Sequence, residues 1–338
     1  MTVYKPIACR DTAEQQRGDP RRTGGWGLDV SAGIASPDVG NRTATGTCLL
    51  CGGSNGPVRM AEGDFVGRAC DCGIIYIDPL PDPALLSATT DAHLDSYYSL
   101  PAELRFEWAR QFVRGGRFLE VGCGPGALIR QALARGFEAD AVEPNAACAD
   151  WVRRRYGIVV EQTLIESSTL PTGRFDLIYH VDLLSHFPDP VGALEVMAER
   201  LAPDGVMCFE VGLFAGLDPR WYPWVGRPRF PAHRTFFSEA GLEQVLERAG
   251  LELVAVKTFA IAPSTILSAV LRKLLPDDLE AVPVASTGSD VLPARGNRLE
   301  RAYALVHHLL RYRLGAVVAF PGPRTAFVAA RRVGGGPS

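Results

Sequence analysis

The sequence predicts an α/β protein: a mostly parallel sheet, helices on both faces, and an antiparallel hairpin at one edge. Two observations carry that reading. From Phe118 onward the chain alternates short apolar runs with amphipathic stretches joined by brief links. The first run, FLEVGCGPG at 118–126, passes straight into three closely spaced glycines and then into a stretch with Leu128, Ile129, Ala132 and Leu133 at helical spacing. A strand, a Gly-rich turn and a helix N-terminus in that order make a place to hold a small polar ligand.

Taken in order, strands over 117–121, 138–142, 158–160, 175–180 and 205–211 alternate with helices over 125–135, 145–156 and 190–200. FFSEAGLEQVLERAG then reads as a helix entered through Ser238 and closed by Gly250. Strands over 251–261 and 325–333 supply the edge hairpin and bring the strand count to seven. Between them lie two apolar-faced helices, 264–274 and 297–312, joined by a loop rich in Pro, Asp and Ser. Upstream, 84–113 reads as helical with a break around Ser99, Leu100 and Pro101. Residues 1–45 show no sustained apolar period and read as a disordered arm. The expected organisation is thus an arm (1–45), a cysteine module (46–80), a helical lid or linker (84–115), a ligand-binding body (116–261 with 322–333) and a helical insert (262–321).

Composition bounds the rest. The 338 residues are 47% hydrophobic and 22% charged, the balance of a soluble globular protein. No apolar run reaches the roughly 18 residues that a bilayer span needs. The first residues lack the apolar core of a secretory signal, so a cytoplasmic protein without a membrane partner is the expectation. A net charge of −3 offers no basic surface for nucleic acid.

Of eight cysteines, four form a pattern. Cys48 and Cys51 make C-x-x-C before Gly52, and Cys70 and Cys72 make C-x-C before Gly73. Two pairs, each closed by a turn glycine, are the pattern of a zinc ribbon. A structural Zn²⁺ can contribute about 10–16 kcal/mol to a module too small to build a core. The second pair has a tighter bite than the usual C-x-x-C, which leaves degenerate knuckles or a disulfide as alternatives. Cys123, Cys148 and Cys208 fall in core elements as small hydrophobes, and Cys9 lies in the polar arm.

The chemistry-bearing residues follow the strands. Glu143 ends the second strand, FEADAVEP, seventeen residues beyond Gly126. A carboxylate there faces the glycine loop and is placed to accept both hydroxyls of a ribose. In FDLIYHVDLLSHFPDP, His180, Asp182 and His186 follow the strand on the ligand side of the sheet. His233 follows a loop bearing Trp221, Tyr222, Trp224 and Phe230, aromatic residues suited to the walls of an apolar pocket.

Together these segments resemble the class I S-adenosylmethionine-dependent methyltransferases. FLEVGCGPG looks like their first motif, AVEP their ribose-binding acidic motif, FDLIYHVDLLSHFPDP their fourth-strand motif and LAPDG their turn before the fifth strand. Within the class, the chain is most similar to the group with an N-terminal zinc ribbon followed by an aromatic and Pro-rich turn, matched here by IIYIDPLP and DSYY. HRTFFSEAGLEQVLERAGLELV resembles that group's His-containing loop and helix. Ser185 departs from the family's usual Glu before the motif histidine.

The resemblance implies a Rossmann-like seven-stranded methyltransferase sheet and S-adenosyl-L-methionine as cofactor. Gly122, Cys123, Gly124, Pro125 and Gly126 would pass beneath its methionine part, with Glu120 near the amino group. Glu143 and Pro144 would meet the ribose, Leu164 and Ile165 the adenine, and His180 the cofactor's flank. Candidate catalytic groups are His233, His186, His180 and Tyr98, with Tyr97 and Tyr98 placed to cover the cofactor. For His186 the alternative is a loop hydrogen bond, and for Tyr98 helix packing. The implied activity is methylation of an O, N or C nucleophile of a small-molecule acceptor in secondary-metabolite or sugar biosynthesis. The insert either lids that acceptor or forms a homodimer face. Two alternatives keep the same loop: non-methyl chemistry releasing methylthioadenosine, and a scaffold with an inactive domain.

Overall fold

The computed structural model describes residues 46–54, 56–81, 99–217, 230–260 and 324–334. The expectations for the arm, Tyr97, Tyr98, Trp221, Tyr222, Trp224 and the two insert helices lie outside these residues. In chain order the elements are β1 (Val58–Glu62), β2 (Phe65–Ala69), β3 (Ile74–Asp78), α1 (Ser99–Ala109), β4 (Arg117–Val121), α2 (Ala127–Leu133), β5 (Glu138–Val142) and α3 (Ala146–Tyr156). They continue with β6 (Val159–Glu161), β7 (Phe175–Val181), α4 (Pro190–Arg200), β8 (Leu201–Leu213), β9 (Thr235–Phe237), α5 (Glu239–Arg248), β10 (Leu251–Ala260) and β11 (Arg324–Arg332).

Seven of the strands form the body that the periodicity predicts. The order β6-β5-β4-β7-β8 is parallel throughout, β11 runs antiparallel to β8, and β10 runs antiparallel to β11. Strand order reverses at β4, whose neighbours are β5 and β7, the place beyond the carboxyl ends where open α/β sheets bind ligands.

The sheet is larger than seven strands. Among the described residues it has eleven, because β1-β2-β3-β9 continue it beyond β8. The cysteine segment is therefore part of the same sheet and not a separate bead. Its link is β9: Leu213 of β8 pairs with Arg324 on one edge and, in parallel, with Phe237 on the other. That second edge is the one β7 occupies as far as Val181 and Glu210, so β9 takes over where β7 stops. Local periodicity cannot reveal a three-residue strand whose partners come from distant sequence.

Helix ends follow local chemistry. Asn145, Asp189 and Ser238 each accept a hydrogen bond from the backbone N–H three residues on, capping α3, α4 and α5. Pro190 occupies the first turn of α4, where no N–H is missed. The break expected near Pro101 is instead the first turn of α1, for the same reason.

Alternation along the strands divides the core into two layers. Leu119, Ile178, Phe209 and Val211 pack with Leu194 and Met197 of α4 and Leu242 and Leu246 of α5. Phe118, Leu177, Tyr179 and Phe327 pack on the other face with Phe106 of α1, Ile129 of α2 and Val152 of α3. Each such fully buried side chain contributes about 1.5–3 kcal/mol, which makes these layers the main source of cohesion. One buried ion pair crosses the second layer: Arg105 Nε of α1 lies 2.5 Å from Glu210 Oε2 of β8.

Candidate functional site

β4 ends at Val121 opposite Val142 of β5, so the glycine loop and Glu143 leave the sheet side by side. The Gly122 N–H donates to the Val142 carbonyl at 2.7 Å, and the loop turns through Gly122, Gly124 and Gly126, all at positive φ. Two of these have different reasons to be glycine. A Cβ at Gly122 would stand 2.5 Å from Leu183 Cδ1, so this position is closed by packing. Gly124, at φ +49, would place a Cβ with nothing within 4 Å, so the loop opens there onto space. Cys123 and Gly126 are buried, while Gly124 and Pro125 are half-buried.

Glu143 is 4% exposed and holds the loop together. Its Oε2 accepts from the Gly124 N–H at 2.8 Å and its Oε1 from the Asn145 N–H at 2.8 Å. Burial raises its pKa, against the pull of those two N–H groups. Pro144 beside it is exposed. Glu120, also buried, accepts from the Ile129 N–H at 3.1 Å inside α2, and desolvation raises its carboxyl well above the usual range. The nearby Glu143 adds to that rise and Arg105 opposes it. Leu164 is exposed beyond β6, whereas Ile165 is packed into the core.

Across the switch point, the segment after β7 meets the segment before β9. The N–H groups of Arg234 and Thr235 both donate to the Ser185 carbonyl, at 2.7 and 3.2 Å. This clasp sets the His233 ring against His186, with centroids 4.4 Å apart. His233 also stacks on Phe236, its ring centroid 5.9 Å away at 14°. His186 Nδ1 lies 2.8 Å from the Ala232 carbonyl oxygen. A carbonyl only accepts, so Nδ1 carries the proton and Nε2 keeps the lone pair. Burial pushes the His186 pKa down from its ordinary value, which keeps the ring neutral at pH 7. Asp182, in the left-handed region at φ 55, completes a group whose ligand atoms with His186 and His233 lie within 4.8 Å of one another. Such a group can take up a proton or ligate a divalent cation.

His180 lies within β7 and not beyond it. It is fully buried, stacked on Phe209 at 4.7 Å and 10°, with Phe187 at its edge. Neither ring nitrogen has a hydrogen-bond partner among the described residues, and burial pushes its pKa down to about 3. His180 is thus a neutral aromatic ring packed within the core layer.

At the other end of β3 the four predicted cysteines converge. Their sulfurs lie within 4.8 Å of one another, with Cys48 Sγ 3.4 Å from Cys72 Sγ and Cys51 Sγ 3.3 Å from Cys70 Sγ. No disulfide links them. Hydrogen bonding from Cys72 holds the Cys48 thiol down at about 5, the same contact pushes Cys72 up, and burial pushes Cys70 up to about 12. A packed set of thiols with one favoured thiolate is what a soft cation neutralises. The shortened C-x-C pair closes a turn with Gly73, whose N–H donates to the Cys70 carbonyl at 3.0 Å.

The sequence did not single out Arg105 or Glu210. The available signal was a lone Glu inside the apolar run MCFEVG and a lone Arg on the apolar face that α1 builds from Ala102, Phe106 and Ala109. No helix among the described residues is long and apolar enough to cross a membrane.

Residues 92–256 match the family model described as "Methyltransferase domain". A ubiquinone biosynthesis O-methyltransferase of Azotobacter vinelandii is 31% identical over 115 residues, covering 31% of this chain and 49% of that protein. The protein of the same name from Dinoroseobacter shibae is 27% identical over 172 residues, covering 44% and 65%. The chain thus spans about half the length of most curated relatives it matches. Among solved structures, a Burkholderia thailandensis 1,6-didemethyltoxoflavin-N1-methyltransferase is similar at a TM-score of 0.45 and 16% identity, covering 80% of this chain and 96% of that one. With the glycine loop, the acidic second strand end and the strand order described above, the family match makes residues 92–256 a member of the class I S-adenosylmethionine-dependent methyltransferases.

Proposed function

We propose that this protein transfers a methyl group from S-adenosyl-L-methionine to an O, N or C nucleophile of a small molecule, in secondary-metabolite or sugar biosynthesis. The observations that carry this reading are the buried Glu143 carboxylate tied to the open Gly124 beyond β4 and β5, and the His186–His233 contact beyond the end of β7. The donor set fits the cofactor. Gly124 leaves space that a Cβ would enter, and Glu143 offers a desolvated carboxylate at the tip of β5. When bound, the cofactor supplies an electrophilic methyl group on a sulfonium, an already excellent leaving group.

What remains for the protein is placement. The acceptor nucleophile must sit about 3–3.5 Å from the reacting carbon with water excluded. Glu143 holds the ribose hydroxyls, the loop from Gly122 to Gly126 supports the methionine part, and Leu164 covers the adenine. An acceptor that reacts as a hydroxyl or an ammonium must lose a proton, and the His186–His233 pair takes it. His186 Nε2 has the lone pair and His233 the wall position for this work. The four-cysteine cluster holds a structural Zn²⁺ through Cys48, Cys51, Cys70 and Cys72.

Product analysis tests the reaction class. Incubation with cofactor and a panel of acceptors should yield S-adenosylhomocysteine and an acceptor heavier by one methyl replacing one hydrogen. Methylthioadenosine as the adenosine product would instead establish transfer from another carbon. Glu143→Ala removes two N–H acceptors from the loop together with the ribose ligand. At about 1.5–3 kcal/mol for each charge-assisted bond, cofactor affinity should fall roughly 100-fold, read by calorimetric titration. Unchanged affinity would remove Glu143 from the cofactor site.

A further inference from the structure

The cysteine cluster and the His233 loop are joined by one strand. Cys70 and Cys72 lead directly into β3, and the Cys70 N–H donates to the Ile74 carbonyl at 2.8 Å. β3 pairs with β9 along all three of its residues: Ile74 with Phe237, Ile75 with Phe236 and Tyr76 with Thr235. Hydrogen bonds continue on both sides of that ladder. Ser238 N–H donates to the Gly73 carbonyl at 2.9 Å, and Ile77 N–H donates to the Arg234 carbonyl at 2.9 Å. His233 is the residue immediately before this clamped run.

On its other side β9 is held less fully. β8 pairs with it at Leu213, the Ala215 N–H donates to the Phe237 carbonyl at 3.0 Å, and the Ser185 carbonyl receives the N–H groups of Arg234 and Thr235. A three-residue strand does not hold its own register, so β3 is its main support. The start of β3 is fixed in turn by close packing: a Cβ on Gly73 would lie 2.7 Å from the Gly241 nitrogen of α5. Cys48, Leu50 and Cys72 pack in the same apolar cluster as Leu242 and Leu246, and Arg248 of α5 donates to the Leu50 carbonyl. The glycine loop and Glu143 stand on β4 and β5, neither of which pairs with β9.

We propose that the four-cysteine cluster positions the catalytic wall: an ion held by Cys48, Cys51, Cys70 and Cys72 fixes β3, β3 fixes β9, and β9 holds His233 against His186, while the cofactor wall stands without it. This rests on the reading of His233 as part of the acceptor site. It makes the cluster a determinant of turnover and not only of stability. A displacement of about 1 Å at a reacting group costs on the order of 100-fold in rate.

The test uses the full chain with two substitutions at Cys51, one of the two half-buried members of the set. Cys51→Ser removes a thiolate, whereas Cys51→His keeps a ligand that zinc accepts beside three cysteines. Zinc content, cofactor affinity, turnover and the imidazole NMR signals are read together, with His233→Gln identifying the His233 signal and His180 as the internal control. In Cys51→Ser the expected result is loss of zinc, a turnover roughly 100-fold lower, cofactor affinity within about twofold of wild type, and a shifted or broadened His233 signal beside an unmoved His180. Cys51→His should restore zinc, signal and turnover. Should Cys51→Ser not fold, chelation of the wild-type chain and zinc return give the same comparison.

Three outcomes overturn the proposal. They are zinc loss with the His233 signal unmoved, cofactor affinity falling as far as turnover, and a wild-type chain that binds no zinc. The NMR readout requires no acceptor, so a failure of methyl transfer leaves the coupling decided on its own.

Discussion

Replacing Arg105 by Ala is expected to destabilise the protein by about 3–5 kcal/mol, read as a lower midpoint and unchanged slope in chemical denaturation. The cause is a stranded charge. Arg105 Nε and Glu210 Oε2 are 2.5 Å apart, with 8% and 5% of their side chains exposed. Removing the cation leaves the Glu210 carboxylate inside the second core layer without its closest counter-charge. Glu120 is also affected, because Arg105 opposes the desolvation that raises its carboxyl pKa. The pair replaced as a whole behaves differently: Arg105→Met with Glu210→Met should recover most of the loss, since no charge is left behind. A single-variant cost below about 1 kcal/mol would place the pair with surface ion pairs in energetic terms. A double variant no better than Arg105→Ala would show that packing of the guanidinium stem, and not charge, sets the cost.

The same pair shows where the sequence is readable and where it is not. The seven-stranded body follows from period and punctuation: apolar runs of strand length, glycines at the turns, and Asn145, Asp189 and Ser238 at helix starts. These signals are local, and local signals survive in one dimension. The glycine loop was legible for the same reason, as was Glu143, because the carboxylate directly ends an apolar run. Partnerships across the chain were not. Arg105 and Glu210 are 105 positions apart, and each alone looks like an odd charge in an apolar stretch. His186 and His233 were visible as separate candidates, but their contact depends on β9, a strand of three residues. For His180 the strand runs one residue further than the apolar run suggests, and the ring is packed in the core. Imidazole is also an aromatic disc that remains neutral when buried, and Phe209 gives it a stacking partner. The cysteine spacing announced a cluster but not that its strands extend the same sheet.

His233→Ala should lower turnover about 100- to 10,000-fold while leaving cofactor affinity nearly unchanged. The asymmetry follows from the sheet. His233 stands before β9, which pairs with β3 and β8 and not with the β4 and β5 that carry the glycine loop, and touches His186 and Phe236. Under the proposed function, loss of its imidazole removes one wall of the acceptor space and half of the proton-accepting pair. The pH profile gives the sign. A base works in its neutral form, so wild-type turnover rises as pH climbs through the titration of the pair. His186 titrates below its ordinary value because burial disfavours the cation, which puts its rise on the acid side. His233→Gln retains a planar polar group of similar reach but cannot take a proton at neutral pH. If it matches the Ala variant, proton transfer is the function lost; if it restores turnover, His233 acts by orienting the acceptor. Full activity of His233→Ala on the true acceptor would remove His233 from the mechanism and leave His186, fixed through Nδ1 to Ala232, as the group facing the nucleophile.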